Sequence, residues 1–415
     1  MNSFYTITLY LWDYIFSIID KNEIRVLRII CKDFKNISTN YWIQNIPHKE
    51  VNNYFINNQK LKFNIRFIIL QHQQQFDFKN VKNNELLIKS CGYGYLEIIK
   101  LLIKNGININ EKNKYEYKSL LCASEHGYLE IVKLLIENGA NINEKNMYGK
   151  NALIYASEHG YLEIVKLLIE NGANINEKNI WGNTALISAT ENGYLEIVKL
   201  LIKNGANINQ KINDDGLNYK ELKIGLWMNV LQFASWKGNL EIVKLLVENG
   251  ANINEKDNNG NVAIYLACQY GHLEIVKLLL ENGANINEKN DFESTSLMYA
   301  SKGGYLEIVK LLIENGANIN EKNYNGSNAL ISACLYGHLE IVKLLLENDA
   351  NINEKDNNGF TSLIITSQNG ILEIVKLLLK KGANKNEKDN KGLNALLHAK
   401  NFNQIEIIKY LENFI

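Results

Sequence analysis

Apolar and charged residues follow one another along most of this chain with the period of an α-helix. Within residues 162–170, six apolar side chains cover most of a helix, while Glu163, Lys166 and Glu170 form a narrow charged stripe. This pattern predicts a helix that other parts of the protein cover on both flanks. A helix of about ten residues is marginal in water by itself, so its stability has to come from stacking on neighbouring elements.

This helix belongs to a unit that repeats along the chain. The step between copies is 33 residues, except for one interval of 45 that contains an insertion of 12 residues near positions 213–227. A fixed period of this length predicts stacked supersecondary units. The segment 160–176 recurs with its first residue at Gly94, Gly127, Gly160, Gly193, Gly238, Gly271, Gly304, Gly337 and Gly370, and in weaker form at Asn403.

A second helix precedes the first one within each unit. Asn and Thr residues stand where a side-chain oxygen can accept the unpaired N–H groups of a helix start. Between units, an Asn-Ile-Asn-Glu-Lys loop leads to a glycine and predicts a hairpin turn, so the unit is hairpin, helix, helix. The predicted N-cap residues are Asn151, Thr184, Asn328, Thr361 and Asn394.

These motifs carry a resemblance to a known family. The helix motif Gly-[Tyr/His]-Leu-Glu-Ile-Val-Lys-Leu-Leu, followed by Asn-Gly-Ala-Asn-Ile-Asn, resembles the ankyrin repeat over residues 79–415. The family's Thr-Pro-Leu-His tetrapeptide is replaced here, for example by Asn-Ala-Leu-Ile at 151–154, which removes a helix-starting proline. The resemblance implies an all-α repeat solenoid of about ten repeats that binds a protein on its concave face and hairpin tips.

The first 48 residues have a different pattern, typical of two or three short amphipathic helices. Their apolar residues resemble an F-box, which implies binding to the Skp-type adaptor of a cullin ubiquitin ligase. The alternative is that they cap the open end of the repeat array. Residues 49–78 are a linker or a degenerate capping repeat. The predicted adaptor-binding residues are Trp12, Ile15, Phe16, Leu27 and Phe34.

Partner-binding residues are predicted from positions that differ between repeats. Several hairpin tips are aromatic or apolar where other repeats have asparagine or lysine, and the first helices also present aromatic side chains. Exposed apolar groups favour an interface. The alternative is that Trp181 and Trp227 fold back on adjacent hairpins. The predicted partner-binding residues are Tyr115, Met147, Tyr148, Tyr155, Ile180, Trp181, Trp227, Phe233, Trp236, Tyr270 and Tyr299.

Composition and charge narrow the function further. Lys plus Arg and Asp plus Glu number 45 each, so no net charge attracts nucleic acid or a membrane. The five cysteines have no metal or disulfide spacing and fit a reducing compartment. No catalytic or phosphate-binding motif is present. We therefore expect no enzyme activity, cofactor or metal, no signal peptide or membrane span, and a cytoplasmic monomer.

The combined prediction is a protein–protein interaction scaffold that recruits substrates to a cullin-type ubiquitin ligase. The alternative is an ankyrin scaffold or inhibitor that acts by occupancy alone. The N-terminal segment and the Asn-, Lys- and Ile-rich sequence also resemble ankyrin proteins of giant DNA viruses of amoebae, which implies host ubiquitin machinery as the partner and the host cytoplasm as the location.

Overall fold

The computed structural model describes residues 83–104, 106–113, 116–210 and 228–414. The chain divides into two compact units, Met1–Ala140 and Asn141–Ile415. The described residues form twenty α-helices, with one isolated antiparallel bridge between Lys355 and Thr361 and no longer strand. This confirms the all-α repeat architecture.

Helices alternate between a first and a second helix of each repeat. In the first unit they are α1 (Asn83–Tyr93), α2 (Leu96–Lys104), α3 (Ser119–Glu125) and α4 (Leu129–Glu137). In the second unit they are α5 (Ala152–Glu158), α6 (Leu162–Glu170), α7 (Ala185–Glu191), α8 (Leu195–Lys203), α9 (Val230–Lys237), α10 (Leu240–Glu248), α11 (Ala263–Tyr270), α12 (Leu273–Glu281), α13 (Ser296–Gly303), α14 (Leu306–Glu314), α15 (Ala329–Tyr336), α16 (Leu339–Glu347), α17 (Ser362–Asn369), α18 (Leu372–Lys380), α19 (Ala395–Asn401) and α20 (Ile405–Asn413).

The first helices begin at the predicted N-caps. The side-chain oxygen of Asn151 accepts a hydrogen bond from the Ile154 amide, and Thr184 does the same for Ile187. Asn328, Thr361 and Asn394 cap α15, α17 and α19 in the same way. The prediction is confirmed because a cap depends only on residues close in sequence.

The core of the second unit lies between consecutive repeats. First helices pack on first helices and second helices on second helices, and each pair also packs together. In α6, Ile164, Val165 and Leu168 are fully buried, and Ala156 of α5 lets the neighbouring backbones approach. Each short helix is therefore stabilised mainly by its neighbours rather than by its own propensity.

Asparagine side chains connect the loops of adjacent repeats. The Asn143 amide donates to the Gly172 carbonyl at 3.1 Å, and its oxygen accepts from the Asn174 backbone at 2.7 Å. The same pair of bonds recurs for Asn254 with the Gly283 carbonyl and the Asn285 amide. These bonds pair loop backbone groups that lie beyond the helices.

Lysine and glutamate pairs run along the same loops. Lys289 contacts Glu321 at 2.8 Å, and Lys322 contacts Glu354 at 2.6 Å. Each lysine also donates to a backbone carbonyl of the next loop, as Lys322 does to Lys355 at 2.9 Å. The charged loops are thus part of the connection between repeats.

Candidate functional site

Two neighbouring hairpin tips in the second unit carry a group of exposed apolar side chains. We call Met147, Tyr148, Ile180 and Trp181 the tip cluster. Met147 is 52% exposed and Tyr148 is 46% exposed, while Trp181 is half-buried. The Trp181 ring stacks on the Tyr148 ring at a centroid distance of 5.9 Å. Apolar side chains that two linked hairpins expose to solvent are suited to bind another protein surface.

The backbone fixes the two hairpins of the tip cluster against each other. The Ile180 amide donates to the Tyr148 carbonyl at 3.1 Å, and the Asn179 side chain closes its own turn by accepting from Trp181 and Asn183. Trp181 therefore does pack on the adjacent hairpin, as the alternative reading of the sequence expected. Its remaining surface and the exposed Met147 are still open to solvent.

Two of the predicted partner-binding residues belong to the core instead. Tyr155 is only 6% exposed, and its hydroxyl accepts a hydrogen bond from Asn146 at 2.9 Å. Phe233 is 7% exposed and packs on Trp236 at a ring distance of 6.1 Å. The prediction that these two side chains face solvent is wrong, because each occupies the junction between a first helix and the adjacent hairpin or helix.

A second surface lies along four first helices, which are α9, α11, α13 and α15. We call its six residues the lysine–aromatic row. Trp236 and Tyr270 pack edge to face at 6.2 Å, and the Lys237 ammonium lies 4.3 Å from the Trp236 ring. The residues of the row are Trp236, Lys237, Tyr270, Tyr299, Lys302 and Tyr336.

The second half of the row holds its lysine between two tyrosines. The Lys302 ammonium lies 5.9 Å from the Tyr299 ring and 5.4 Å from the Tyr336 ring. Tyr299 packs on Tyr265 at 4.3 Å, and the Tyr265 hydroxyl accepts from Asn290. Burial is the main cause that raises the pKa of Tyr265, so its phenol stays protonated. The buried Tyr265 ring therefore supports the Tyr299 ring.

A cavity of about 320 Å³ opens beside Lys302. Its walls are two aromatic hairpin residues, Phe292 and the 73% exposed Tyr324, and its floor includes the buried Met298. The Tyr324 amide donates to the Phe292 carbonyl at 2.9 Å, which holds the two hairpins together. The lining also includes polar side chains, and the cavity has the size to receive one large side chain that packs on Phe292 and Tyr324.

The histidines have structural partners, as their repeat positions predicted. His272 and His338 each place Nε2 3.0 Å from a backbone carbonyl in the first helix of the preceding repeat, that of Trp236 for His272 and that of Lys302 for His338. His126 and His159 bond the carbonyl four residues before them through Nδ1. Within the described residues, no group of three or more His, Cys, Asp or Glu side chains is arranged to hold a metal ion.

The four cysteines that the structure describes are buried and free. Burial raises the pKa of Cys122 and of Cys334 to about 12, and it raises the pKa of Cys91 and Cys268 as well. A buried protonated thiol is a poor nucleophile, so these cysteines act as core residues.

The remaining predicted site residues lie outside the described part of the chain. This applies to the whole F-box-like segment and to one hairpin residue and one residue of the insertion. They are Trp12, Ile15, Phe16, Leu27, Phe34, Tyr115 and Trp227.

Lys237 and Lys302 were not among the residues that the sequence selected. Their signal is present, because each is the only charged residue of its first helix, in α9 and α13. A lysine at the end of a helix is common, however, and only contact with aromatic rings distinguishes these two. Lys237 contacts a ring of its own repeat, and Lys302 contacts rings of its own and the next repeat.

The stacked hairpin–helix–helix units, with apolar side chains exposed on hairpins and first helices, define a helical repeat protein of the kind that binds other proteins. A model of three consecutive ankyrin repeats matches residues 55–146, 144–212, 218–290, 282–356 and 350–414. The chain therefore belongs to the ankyrin repeat family, whose members are typically non-enzymatic interaction modules. The first match begins inside the segment 49–78.

No curated protein matches this chain. Among the described residues, none of the helices is long and apolar enough to cross a membrane. The protein is a protein–protein interaction scaffold of the ankyrin type.

Proposed function

We propose that this protein is a substrate-recruiting adaptor of a cullin-type ubiquitin ligase. The observation that supports target binding is the tip cluster, in which Met147, Tyr148 and Ile180 remain exposed on hairpins that hydrogen bonds hold in place. Hairpins whose backbone is fixed before binding lose little conformational entropy when a partner covers them. The resemblance of residues 1–48 to an F-box supports the link to the ligase.

The protein acts as a monomer in the cytoplasm in this proposal, where ubiquitin ligases and reduced thiols coexist. The described cysteines are free, which suits a reducing compartment. The resemblance to ankyrin proteins of giant DNA viruses makes the host cytoplasm and host adaptor the proposed setting. No nucleic acid or membrane takes part.

Binding of the full chain to a purified Skp-type adaptor, measured by calorimetry, tests the ligase link. We expect saturable binding that is lost in Trp12→Ala and in Ile15→Ala. Retained helical circular dichroism in both variants would show that the repeats are intact. If the folded wild-type chain does not bind the adaptor, the chain is an ankyrin scaffold or inhibitor that acts by occupancy alone.

The tip cluster is tested by replacing exposed side chains that do not contribute to the core. A Met147→Ala/Tyr148→Ala variant should lose target ubiquitination in a reconstituted ligase while it keeps its unfolding midpoint. The matched control is Asn258→Ala/Asn358→Ala, which changes two exposed hairpin tips in repeats without a tip cluster. Equal loss of activity in both variants would contradict a specific role for the cluster.

A further inference from the structure

The first helices of the second unit change the sign of their charge along the array. In α5 and α7 the only charged residues are Glu158 and Glu191, whereas in α9 and α13 they are Lys237 and Lys302. The helices α11, α15 and α17 carry no charge at all. From α9 to α15 the first helices therefore carry aromatic residues, and their only charged residues are two lysines.

Neither lysine of this surface is neutralised within the described residues. Lys237 contacts the Trp236 ring, and Lys302 contacts two tyrosine rings, but neither ammonium has a carboxylate at salt-bridge distance in that part of the chain. Glu158, by contrast, is paired with Lys150 at 2.6 Å. A lysine held over aromatic rings keeps part of its hydration and can still accept an anionic partner.

In addition to the glutamates of the loops and second helices, the same repeats carry acidic residues on their hairpins. The Asp257 carboxylate is occupied by hydrogen bonds from Asn259 and Asn261. Asp291 and Glu293 are exposed on either side of Phe292 at a hairpin tip. The carboxylates of an acidic ligand would thus be attracted to the first-helix side and repelled by Asp291 and Glu293, so that only an uncharged side chain of the ligand can approach Phe292.

We propose that the lysine–aromatic row binds an extended acidic segment of a partner protein, with carboxylates at Lys237 and Lys302 and a large apolar side chain in the cavity beside Lys302. This inference rests on the proposed target-binding function and names the chemistry of the target. Charge complementarity and the aromatic lining together favour this occupant.

The spacing of the two lysines sets the length of the segment. They lie two repeats apart, which is on the order of 20 Å for helices packed about 8–10 Å apart. An extended chain covers that distance with about six residues at roughly 3.3 Å each. The motif is therefore two acidic residues about six positions apart, with an aromatic or large aliphatic residue next to one of them.

Single-stranded nucleic acid is a less suitable occupant. Its affinity comes from many phosphate contacts with lysine and arginine, and this surface offers two lysines. The chain as a whole has no net charge. An acidic protein segment needs only a few ion pairs in addition to apolar contact.

The test is a selection of random peptides of about 12 residues, long enough for the spacing above, displayed on phage against the full chain. We expect the enriched sequences to carry the acidic and apolar motif. Anisotropy with the best labelled peptide should show affinity weakened at least about tenfold by Lys237→Glu/Lys302→Glu, and weakened by salt in the wild type. Tyr324→Ser should also weaken binding, because it removes one wall of the cavity.

The matched control is Lys244→Glu/Lys310→Glu, which makes the same change of charge in the same two repeats on the exposed side of the second helices. It should leave the affinity within about twofold. Circular dichroism and unfolding midpoints establish that all variants are folded.

Three results would overturn the inference. Enriched peptides without acidic residues that bind Lys237→Glu/Lys302→Glu normally but no longer bind Tyr148→Ala would move binding to the tip cluster and leave the proposed function intact. Tighter binding of oligo(dT) than of any peptide would assign the row to nucleic acid. Failure to enrich any peptide would exclude a short acidic segment as the ligand. The proposed function would still be tested separately, by adaptor binding and by target ubiquitination.

Discussion

The side chain of Asn151 caps the first helix of its repeat. Its oxygen accepts from the Ile154 amide at 2.9 Å at the start of α5, in a buried position. Asn151→Ala should therefore lower the unfolding free energy of the second unit by about 1 kcal/mol. Urea unfolding followed by circular dichroism measures this.

Asn258→Ala is the control for the cap prediction. Asn258 is exposed at a hairpin tip, so its removal should change the unfolding free energy by less than about 0.5 kcal/mol. Equal effects of the two substitutions would show that the cap contributes nothing specific.

The buried cysteines allow a second prediction at the residue scale. Cys91, Cys122, Cys268 and Cys334 are buried with pKa values raised by burial. In a Cys31→Ser background, Ellman's reagent at about pH 8 should react with the folded protein at least about a hundredfold more slowly than with the unfolded chain. Rapid reaction of a full equivalent without denaturant would contradict the described core.

The roles of residues whose bonding partners lie only a few positions away could be predicted from the sequence. The caps Asn151 and Thr184 and the histidines His126 and His159 belong to this group, because their partners are three or four residues away. Burial of Tyr155 and Phe233 could not be predicted in the same way, since it depends on the adjacent hairpin and helices.

At the scale of the elements, the turn between the two helices of a repeat requires glycine for two reasons. Gly271 has φ +81°, and a Cβ atom placed on it would lie 2.4 Å from the Tyr305 ring of the next repeat. Gly283, in the loop after α12, has φ +86° and no atom within 4 Å of such a Cβ. A comparison of substitutions at Gly271 and Gly283 therefore separates the cost of backbone strain from the cost of a steric clash with Tyr305.

Gly283→Ala should cost about 1–2 kcal/mol of stability from the left-handed backbone alone. Gly271→Ala should cost clearly more, because Tyr305 also has to move. Urea denaturation of both variants measures the difference, and Gly271→Ala/Tyr305→Ala should recover part of it in a double-mutant comparison. Equal costs for the two glycines would refute the contact with Tyr305.

The loop ion pairs predict a pH dependence. Hydrogen bonds from lysines of the preceding loop are the largest cause that lowers the pKa of the loop glutamates. In the unfolded chain these carboxyls titrate near about 4.3. Their stabilising contribution is present above that pH and is lost as the pH falls through the lower folded pKa. The pairs are Lys289–Glu321, Lys322–Glu354 and Lys355–Glu387.

A Glu321→Gln/Glu354→Gln/Glu387→Gln variant should lose less stability than the wild type when the pH falls from about 6 to about 3. Unfolding free energies over this range measure the effect. If the unfolding free energies of wild type and variant change with pH in the same way, the ion pairs do not contribute to the pH dependence of stability. The control replaces three exposed glutamates of the second helices that have no ion pair among the described residues, Glu281, Glu314 and Glu347.

On the scale of the whole molecule, the 12-residue insertion interrupts the period but not the contacts between repeats. The Asn209 oxygen accepts from the Asn252 amide at 2.9 Å across the insertion, and α7 and α8 pack on α9 and α10. Replacing residues 212–227 with the four residues 257–260, which keeps the buried Met228, should therefore leave the unfolding free energy of the second unit within about 1 kcal/mol.

Urea unfolding and retention of target binding test this replacement together. Unchanged stability with lost target binding would assign the insertion to recognition. A large loss of stability would contradict the expectation, and would show that the repeats on either side need the inserted residues.

The sequence by itself determined the repeat, its hairpin–helix–helix order and its caps, because these depend on a 33-residue period and on contacts within a turn. It also identified the tip cluster. Only the tertiary structure showed that asparagines link successive loops, that Tyr155 and Phe233 are buried, and that Lys237 and Lys302 lie on aromatic rings. The physical reason is that these features arise between neighbouring elements, where geometry rather than local pattern decides which side chains meet.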